Sequence, residues 1–175
     1  MSDDSRRALL VVPRADDPEV GRWLWALDDA RALTKEALEN IDQDVLYWAL
    51  APGGNTIGTL LYHLAAIEAD WLYAEVLEQP VPADLITEEV RDATGNLTAI
   101  VGKTVGEHLS LLEAVRARLE DVFKPMPAEE FRRVRRLPEY DVTPEWVLHH
   151  LSQHEAEHRG EILLLRERAE AALRP

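Results

Sequence analysis

The chain has 175 residues, of which 46% are hydrophobic and 30% charged, enough for one globular domain with a buried core. It contains no cysteine, which excludes disulfides, cysteine-based zinc sites and a protein thiol nucleophile. The net charge of −14 disfavours nucleic-acid binding, and we expect the arginines around Val134 to line a solvated edge or to pair with carboxylates.

The first residues differ in character from the rest of the chain. Residues 1–18 are polar and charged and include two prolines, so we predict a flexible lead-in to a domain that spans residues 19–175. The apolar run from Ala8 to Val12 is too short for the core of a signal peptide, and no other run approaches the length of a membrane span. We therefore expect a cytoplasmic protein that does not enter a membrane.

Two long helices are predicted in the first half of the chain. Apolar residues recur at helical spacing from Glu19 to Asn40, and helix-forming residues dominate there. Residues 42–48 suit a short helical turn, and residues 51–55 (APGGN) form a strong loop signal. Asn55 or Thr56 then caps a second helix that carries His63.

Two further long helices are predicted in the second half. Thr104 and Glu107 fit a capping box at the start of a helix that ends near Phe123. Thr143 caps the last helix, which runs to about Ala172. The connection 79–99 is long, with a short helical piece around residues 87–90, and residues 131–142 are irregular or partly extended. This pattern predicts an all-α four-helix bundle whose long connection argues against a simple up-down hairpin series.

The last helix carries histidines on its apolar stripe. The stripe has steps of three and four residues and consists of Val147, Leu151, His154, His158, Ile162 and Leu165. Two buried imidazoles one turn apart need partners, because an unpaired buried polar group costs about 1–3 kcal/mol. Histidines at positions i and i+4 can direct two nitrogens to one metal ion.

A third histidine strengthens the prediction of a metal site. His63 lies at the border of the apolar stripe of the second helix, and cores of helix bundles commonly hold such sites. Three histidine ligands leave a coordination position open, as in catalytic sites. Imidazole suits zinc, nickel, iron or copper and disfavours calcium and magnesium. The sequence therefore predicts a site of His63, His154 and His158.

A buried polar network is the alternative to a metal. In that interpretation carboxylates such as Asp70, Glu155 or Glu161 close the network around the histidines. His149 is expected at the surface, His150 beside the stripe, and His108 in a structural role. Glycine inside a helix costs about 1 kcal/mol relative to alanine. The presence of Gly160 in the last helix would be explained by a close approach of another helix, by room beside the site or by tolerance alone.

Two stretches resemble motifs of a known family. Residues 55–71, NTIGTLLYHLAAIEADW, resemble the second-helix motif of the DinB-like (YfiT-like) metalloenzymes, and residues 154–162, HEAEHRGEI, resemble their fourth-helix motif. Order and separation also match, and the resemblance covers residues 19–172. Many relatives have Gln or His where this chain has Glu161, which could reach the site as an acceptor, point to solvent or bind Arg159.

The resemblance implies a bundle with up-down-down-up topology and a divalent metal, typically nickel or zinc, on His63, His154 and His158. It also implies a homodimer, and for some members a transferase or isomerase that uses mycothiol or bacillithiol. The hypothesis is a metal-dependent transferase that joins a small thiol to an electrophilic substrate. The alternatives are a metal-dependent hydrolase and a non-catalytic metal-binding module of the stress response. Glu161, Asp70 and His150 are the candidates for a catalytic base.

Overall fold

Helices account for most of the structure, a computed structural model that describes residues 9–174. The four long helices are α1 (Pro18–Ala37), α3 (Ile57–Asp70), α4 (Val105–Phe123) and α6 (Pro144–Ala172). Two short helices are α2 (Gln43–Leu46) and α5 (Ala128–Phe131). The long helices form the predicted four-helix bundle with up-down-down-up topology. Within residues 9–174, no helix has both the length and the apolar character that crossing a membrane requires.

The helix starts follow the predicted caps. The side chain of Thr56 accepts a hydrogen bond from the third residue beyond it, and Thr143 does the same at α6. Thr104 and Glu107 form the complete capping box at α4. Asp17 caps α1 in the same way, so this helix begins at Pro18, and it ends at Ala37 instead of near Asn40. Local hydrogen bonding thus determines where each long helix begins.

The segment before α1 is only partly described, since residues 1–8 of the predicted flexible lead-in lie outside the described residues. Residues 9–17 contain no helix or strand. The amide of Arg14 donates to the carbonyl of Gly21, and the amide of Asp16 donates to the carbonyl of Lys124 at the end of α4. A Cβ atom on Gly21 would lie 2.8 Å from Pro13, so glycine permits this close approach.

Helix α3 continues into a π-helical turn, Trp71–Val76, in which the amide of Leu77 donates to the carbonyl of Leu72. Residues 77–104 then connect to α4 without a helix, so the helical piece predicted at residues 87–90 was wrong. The hydroxyl of Tyr62 instead satisfies both backbone groups of Glu88, at 2.7 and 2.8 Å. Because α3 and α4 are parallel neighbours, this connection must return along the length of the bundle.

Residues 131–142 include a small antiparallel pair, β1 (Arg135–Arg136) and β2 (Asp141–Val142), consistent with the partly extended segment expected there. The neighbouring arginines pair with carboxylates, also as expected. Arg132 binds Glu19, and both Arg133 and Arg135 bind Glu130.

A layer of charge divides the core of the bundle. The two larger apolar clusters lie on its two sides. One contains Leu24, Leu27, Leu119, Phe123 and Leu151, and the second contains Ala37, Leu60, Leu112, Val115 and Ile162. Between them each long helix contributes one buried charged residue, namely Arg31, Glu68, Arg116 and Glu155. Because buried charges must be paired, this layer fixes how the four helices face one another.

Candidate metal centre

Three histidine rings from two helices converge on one point. Nε2 of His154 lies 3.1 Å from Nε2 of His63 on α3 and 3.1 Å from Nε2 of His158. One ligand nitrogen of each ring lies within 4.8 Å of the other two. The sequence-predicted trio therefore comes together at the contact of α3 and α6.

The helix register places the rings. His154 and His158 are one turn apart on α6, and their ring planes are nearly perpendicular, at 84°. The ring of His63 stands perpendicular to that of His158, at 90°. His63 is buried, and the two histidines of α6 are half-buried. One side of the group thus belongs to the bundle interior, and the other is partly exposed to solvent.

The chemistry of the three nitrogens fits a cation. An imidazole Nε2 carries either one proton or one lone pair in the ring plane, so it makes one in-plane hydrogen bond. Nε2 of His154 has two nitrogen neighbours at the same distance, and a proton cannot serve both equally well. A single metal ion can accept all three lone pairs, so this donor set suits a divalent metal that prefers nitrogen ligands.

The outer nitrogens differ between the rings. Nδ1 of His158 lies 3.4 Å from Oε2 of Glu161, a contact in which a protonated Nδ1 donates to the carboxylate. That tautomer leaves the lone pair on Nε2, where a metal would bind. Nδ1 of His63 is buried and has no hydrogen-bond partner among the described residues.

The electrostatic environment keeps two of the rings neutral. Burial, with smaller contributions from the charges of His158 and Arg91, lowers the pKa of His63 to about 4. Burial also lowers the pKa of His154 to about 3, with smaller contributions from His158 and His63. Both rings are therefore unprotonated near neutral pH, as metal ligation requires.

The other candidate residues lie outside the group of three nitrogens. Asp70 is exposed at the end of α3. His150 is half-buried; its ring lies 5.8 Å from that of His154 and 4.5 Å from that of Trp71. Burial lowers the pKa of His150. Glu161 reaches the outer edge of the His158 ring, opposite the edge that faces the other histidines.

Two further histidines lie away from the site. His149 is half-buried, and its ring makes an edge contact with Trp23. His108 is buried, with its Nε2 3.1 Å from the hydroxyl of Tyr47. Nothing lies within 4 Å of the Cβ position at Gly160, so a close helix approach does not explain this glycine.

Of the three carboxylates named in the alternative interpretation, Glu161 alone contacts one of the three histidines among the described residues. Glu155 is directed to Arg31, which donates two hydrogen bonds of 2.9 Å to it. Arg31 also donates to Glu68, which accepts two more from Arg116. Burial opposes ionisation of Glu68, but Arg116 and Arg31 outweigh it and lower its pKa.

The sequence pattern did not predict this charge layer, in which only Glu155 is next to a histidine of the group along the chain. Arg31 continues the stripe of Leu24 and Leu27 at steps of three and four residues, and that spacing was the available signal. A charged residue at a core position indicates a buried partner, although the sequence does not say which one.

Comparisons with known proteins agree with this fold. Residues 26–162 match the sequence profile of the DinB superfamily. The fold is similar to that of YfiT from Bacillus subtilis, a solved structure described as a probable metal-dependent hydrolase with an unusual four-helix bundle topology. The two chains are 20% identical, with a TM-score of 0.60, over 85% of this chain and 86% of the other. No curated protein matches the sequence. Since the profile covers most of its length, the chain belongs to the DinB superfamily.

Proposed function

We propose that His63, His154 and His158 bind one divalent ion, with zinc or nickel preferred, and that this centre serves a transferase that uses a small thiol. The observation that carries the proposal is the convergence of three imidazole nitrogens within 4.8 Å, with no carboxylate in the group. Nitrogen-only donor sets suit zinc and nickel better than magnesium or calcium. Three protein ligands also leave a position for an exogenous group.

The residues of the chain have defined tasks in this proposal. A divalent ion held by the three histidines would act as a Lewis acid that lowers the pKa of a bound thiol. The contact with Glu161 orients the ring of His158 and holds its proton on Nδ1. In thiol transfer the thiol proton would pass to solvent, and the sulfur would bond to an electrophilic carbon whose leaving group departs with its electron pair.

The thiol must come from a small molecule, because the chain has no cysteine. Mycothiol or bacillithiol would supply it, as in some members of the superfamily. We also propose a homodimer, again from the superfamily, which sedimentation equilibrium would test as twice the mass of the chain.

A hydrolase is the second candidate, and the description of YfiT favours it. Hydrolysis needs a base within hydrogen-bond reach of the attacking water. Glu161 contacts the outer nitrogen of His158, and Asp70 lies at the exposed end of α3, so His150 is the better base candidate of the three. We rank hydrolysis below thiol transfer because no carboxylate joins the three nitrogens among the described residues. A non-catalytic metal-binding module of the stress response ranks third.

Metal content tests the centre. We expect about one equivalent of zinc or nickel in the purified wild type and a loss of most of it in His63→Ala and His158→Ala. His149→Ala is the matched control, because it removes an imidazole from the same helix outside the group. Circular dichroism would check that each variant keeps its helices. Full metal content in His63→Ala, or the same loss in His149→Ala, would refute the three-histidine site.

A second experiment separates the candidate reactions. The cobalt- or nickel-loaded protein is titrated with mycothiol or bacillithiol, and the absorption spectrum is recorded. Thiol binding should produce a new sulfur-to-metal charge-transfer band, which His158→Ala should lack. A hydrolase would turn over an ester or amide substrate without thiol. If the metal-loaded protein neither binds a thiol nor hydrolyses a substrate, the result would favour the non-catalytic module.

A further inference from the structure

An aromatic pocket lies at one end of the bundle. It lies where the π-helical turn, the strand pair and the start of α6 meet, and its volume is about 550 Å³, within the range of small-molecule sites. Trp71 lies centrally, with its ring 6.2 Å from that of Tyr140 and 5.2 Å from that of Trp146. Three electron-rich ring systems from three different elements thus contribute to one pocket.

A buried carboxylate lies beside this pocket. Glu75 is only 7% exposed, and its Oε1 accepts a hydrogen bond of 2.8 Å from the hydroxyl of Tyr140. Its Oε2 is buried and has no hydrogen-bond partner among the described residues. Glu75 lines a separate cavity of about 320 Å³, which shares Tyr140 with the aromatic pocket. Buried acceptors without partners are rare in folded proteins, so Oε2 of Glu75 is an acceptor available to a donor group.

The backbone explains why the aromatic and acidic groups coincide. Trp71 and Glu75 lie four residues apart in the π-helical turn. Such turns are uncommon and occur frequently at functional sites. Trp71 contributes its ring to the pocket, and Glu75 presents its carboxylate to Tyr140 on the strand connection.

The charges around Glu75 favour a cationic ligand. Burial raises the pKa of its carboxyl group; the hydrogen bond from Tyr140 lowers it, and the negative charge of Asp70 raises it. A cation with N–H donors would stabilise the ionised carboxylate against burial and the charge of Asp70, and it would donate a hydrogen bond to Oε2. The faces of tryptophan and tyrosine attract the same cation.

We propose that this aromatic pocket and Glu75 together bind a primary ammonium group carried on an apolar or aromatic body. The ammonium donates to Oε2 of Glu75, and the body lies against Trp71 and Trp146. This site requires no metal, so it goes beyond the function proposed above. The ring of His150 lies 4.5 Å from that of Trp71 and 5.8 Å from that of His154, so the bound molecule would extend along α6 toward the three histidines.

A matched pair of probes tests the charge requirement. 2-Phenylethylamine is protonated at pH 7, as a lysine side chain is, whereas 2-phenylethanol is neutral and of nearly equal size. Each is titrated into the full chain while tryptophan fluorescence is followed, with calorimetry as the second readout. We expect saturable binding of the amine, with affinity about tenfold or more above that of the alcohol.

Two variants locate the interaction. Glu75→Gln should weaken amine binding about tenfold and leave the alcohol unchanged, because it removes the charge and keeps the shape. Glu78→Gln is the control, since it removes a nearby exposed carboxylate from the same stretch of chain. His63→Ala should bind the amine as the wild type does, so a failure of the metal proposal would not affect this result.

Three outcomes would overturn the proposal. One is the absence of saturable amine binding to the folded wild type, and another is equal affinity for the amine and the alcohol. The third is an equal effect of Glu75→Gln and Glu78→Gln. The comparison of the two probes on the wild type needs no variant, so it stands even if Glu75→Gln fails to fold.

Discussion

Replacement of Arg31 by methionine should destabilise the bundle far more than loss of a surface ion pair. Arg31 donates two hydrogen bonds to Glu155, one to Glu68 and one to the carbonyl of Leu112. Methionine keeps much of the length of the side chain but offers no donor or charge.

The two carboxylates would respond differently. Glu68 keeps its bonds of 2.7 and 3.0 Å from Arg116, so it stays paired. Glu155 accepts no other hydrogen bond among the described side chains and is only 2% exposed. Removal of one partner of a buried ion pair costs about 3–5 kcal/mol. Because domains are stable by only about 5–15 kcal/mol, the variant should lose a large share of its stability.

Urea unfolding followed by circular dichroism would measure this change. The control is Lys35→Met, which removes a surface pair with Glu113 whose side chains are 42% and 62% exposed. That change should cost less than about 1 kcal/mol. The double variant Arg31→Met with Glu155→Leu should recover most of the loss, because an apolar replacement of both partners is often neutral or stabilising.

Two results would refute this reasoning. If Arg31→Met cost no more than Lys35→Met, the buried layer would not depend on Arg31 for its charge balance. If the double variant were as unstable as Arg31→Met alone, the unpaired carboxylate of Glu155 would not be the cause of the loss.

The remaining predictions concern packing and pH. Gly58→Ala should lower the free energy of unfolding by about 1–3 kcal/mol, because a Cβ atom there would lie 2.5 Å from the ring of Tyr47. Gly160→Ala, the control with nothing within 4 Å of its Cβ, should instead stabilise α6 by up to about 1 kcal/mol; equal effects in denaturant titrations would contradict the packing argument. Burial lowers the pKa of His108 to about 4, so the unfolded chain, with a histidine pKa near 6.5, binds the proton first as the pH falls. Stability should therefore drop between about pH 6.5 and 4, by up to about 1.4 kcal/mol per unit more in wild type than in His108→Gln; parallel pH profiles would refute it.

The sequence predicted the helices well because their signals are local. A cap joins residues three apart, and the apolar stripe repeats every three or four residues, so Thr104 and Glu107 identify the start of α4 without any other part of the chain. The same periodicity identified His154 and His158 as neighbours on one face. The error at residues 87–90 had a non-local cause, since the side chain of Tyr62 holds that backbone from another element.

The site was predicted in part. The stripe positions and the family resemblance together selected His63, which joins the histidines of α6 in the structure. The catalytic candidates Asp70 and His150 could not be ranked from the sequence, because spacing along one helix does not give a distance to a group on another. The π-helical turn at Trp71 was also not foreseen, and it changes which side chains share a face beyond that point.

What the sequence alone determined, then, is the helices, their buried faces and the histidine pair one turn apart. Only the tertiary structure decided which charges meet in the core, where Arg31 binds a residue 124 positions away and another 37 positions away. It likewise brought Trp71, Tyr140 and Trp146 together in one pocket. The physical reason is that local hydrogen bonds and helical periodicity act over three or four residues, whereas partners across a bundle depend on how whole helices pack.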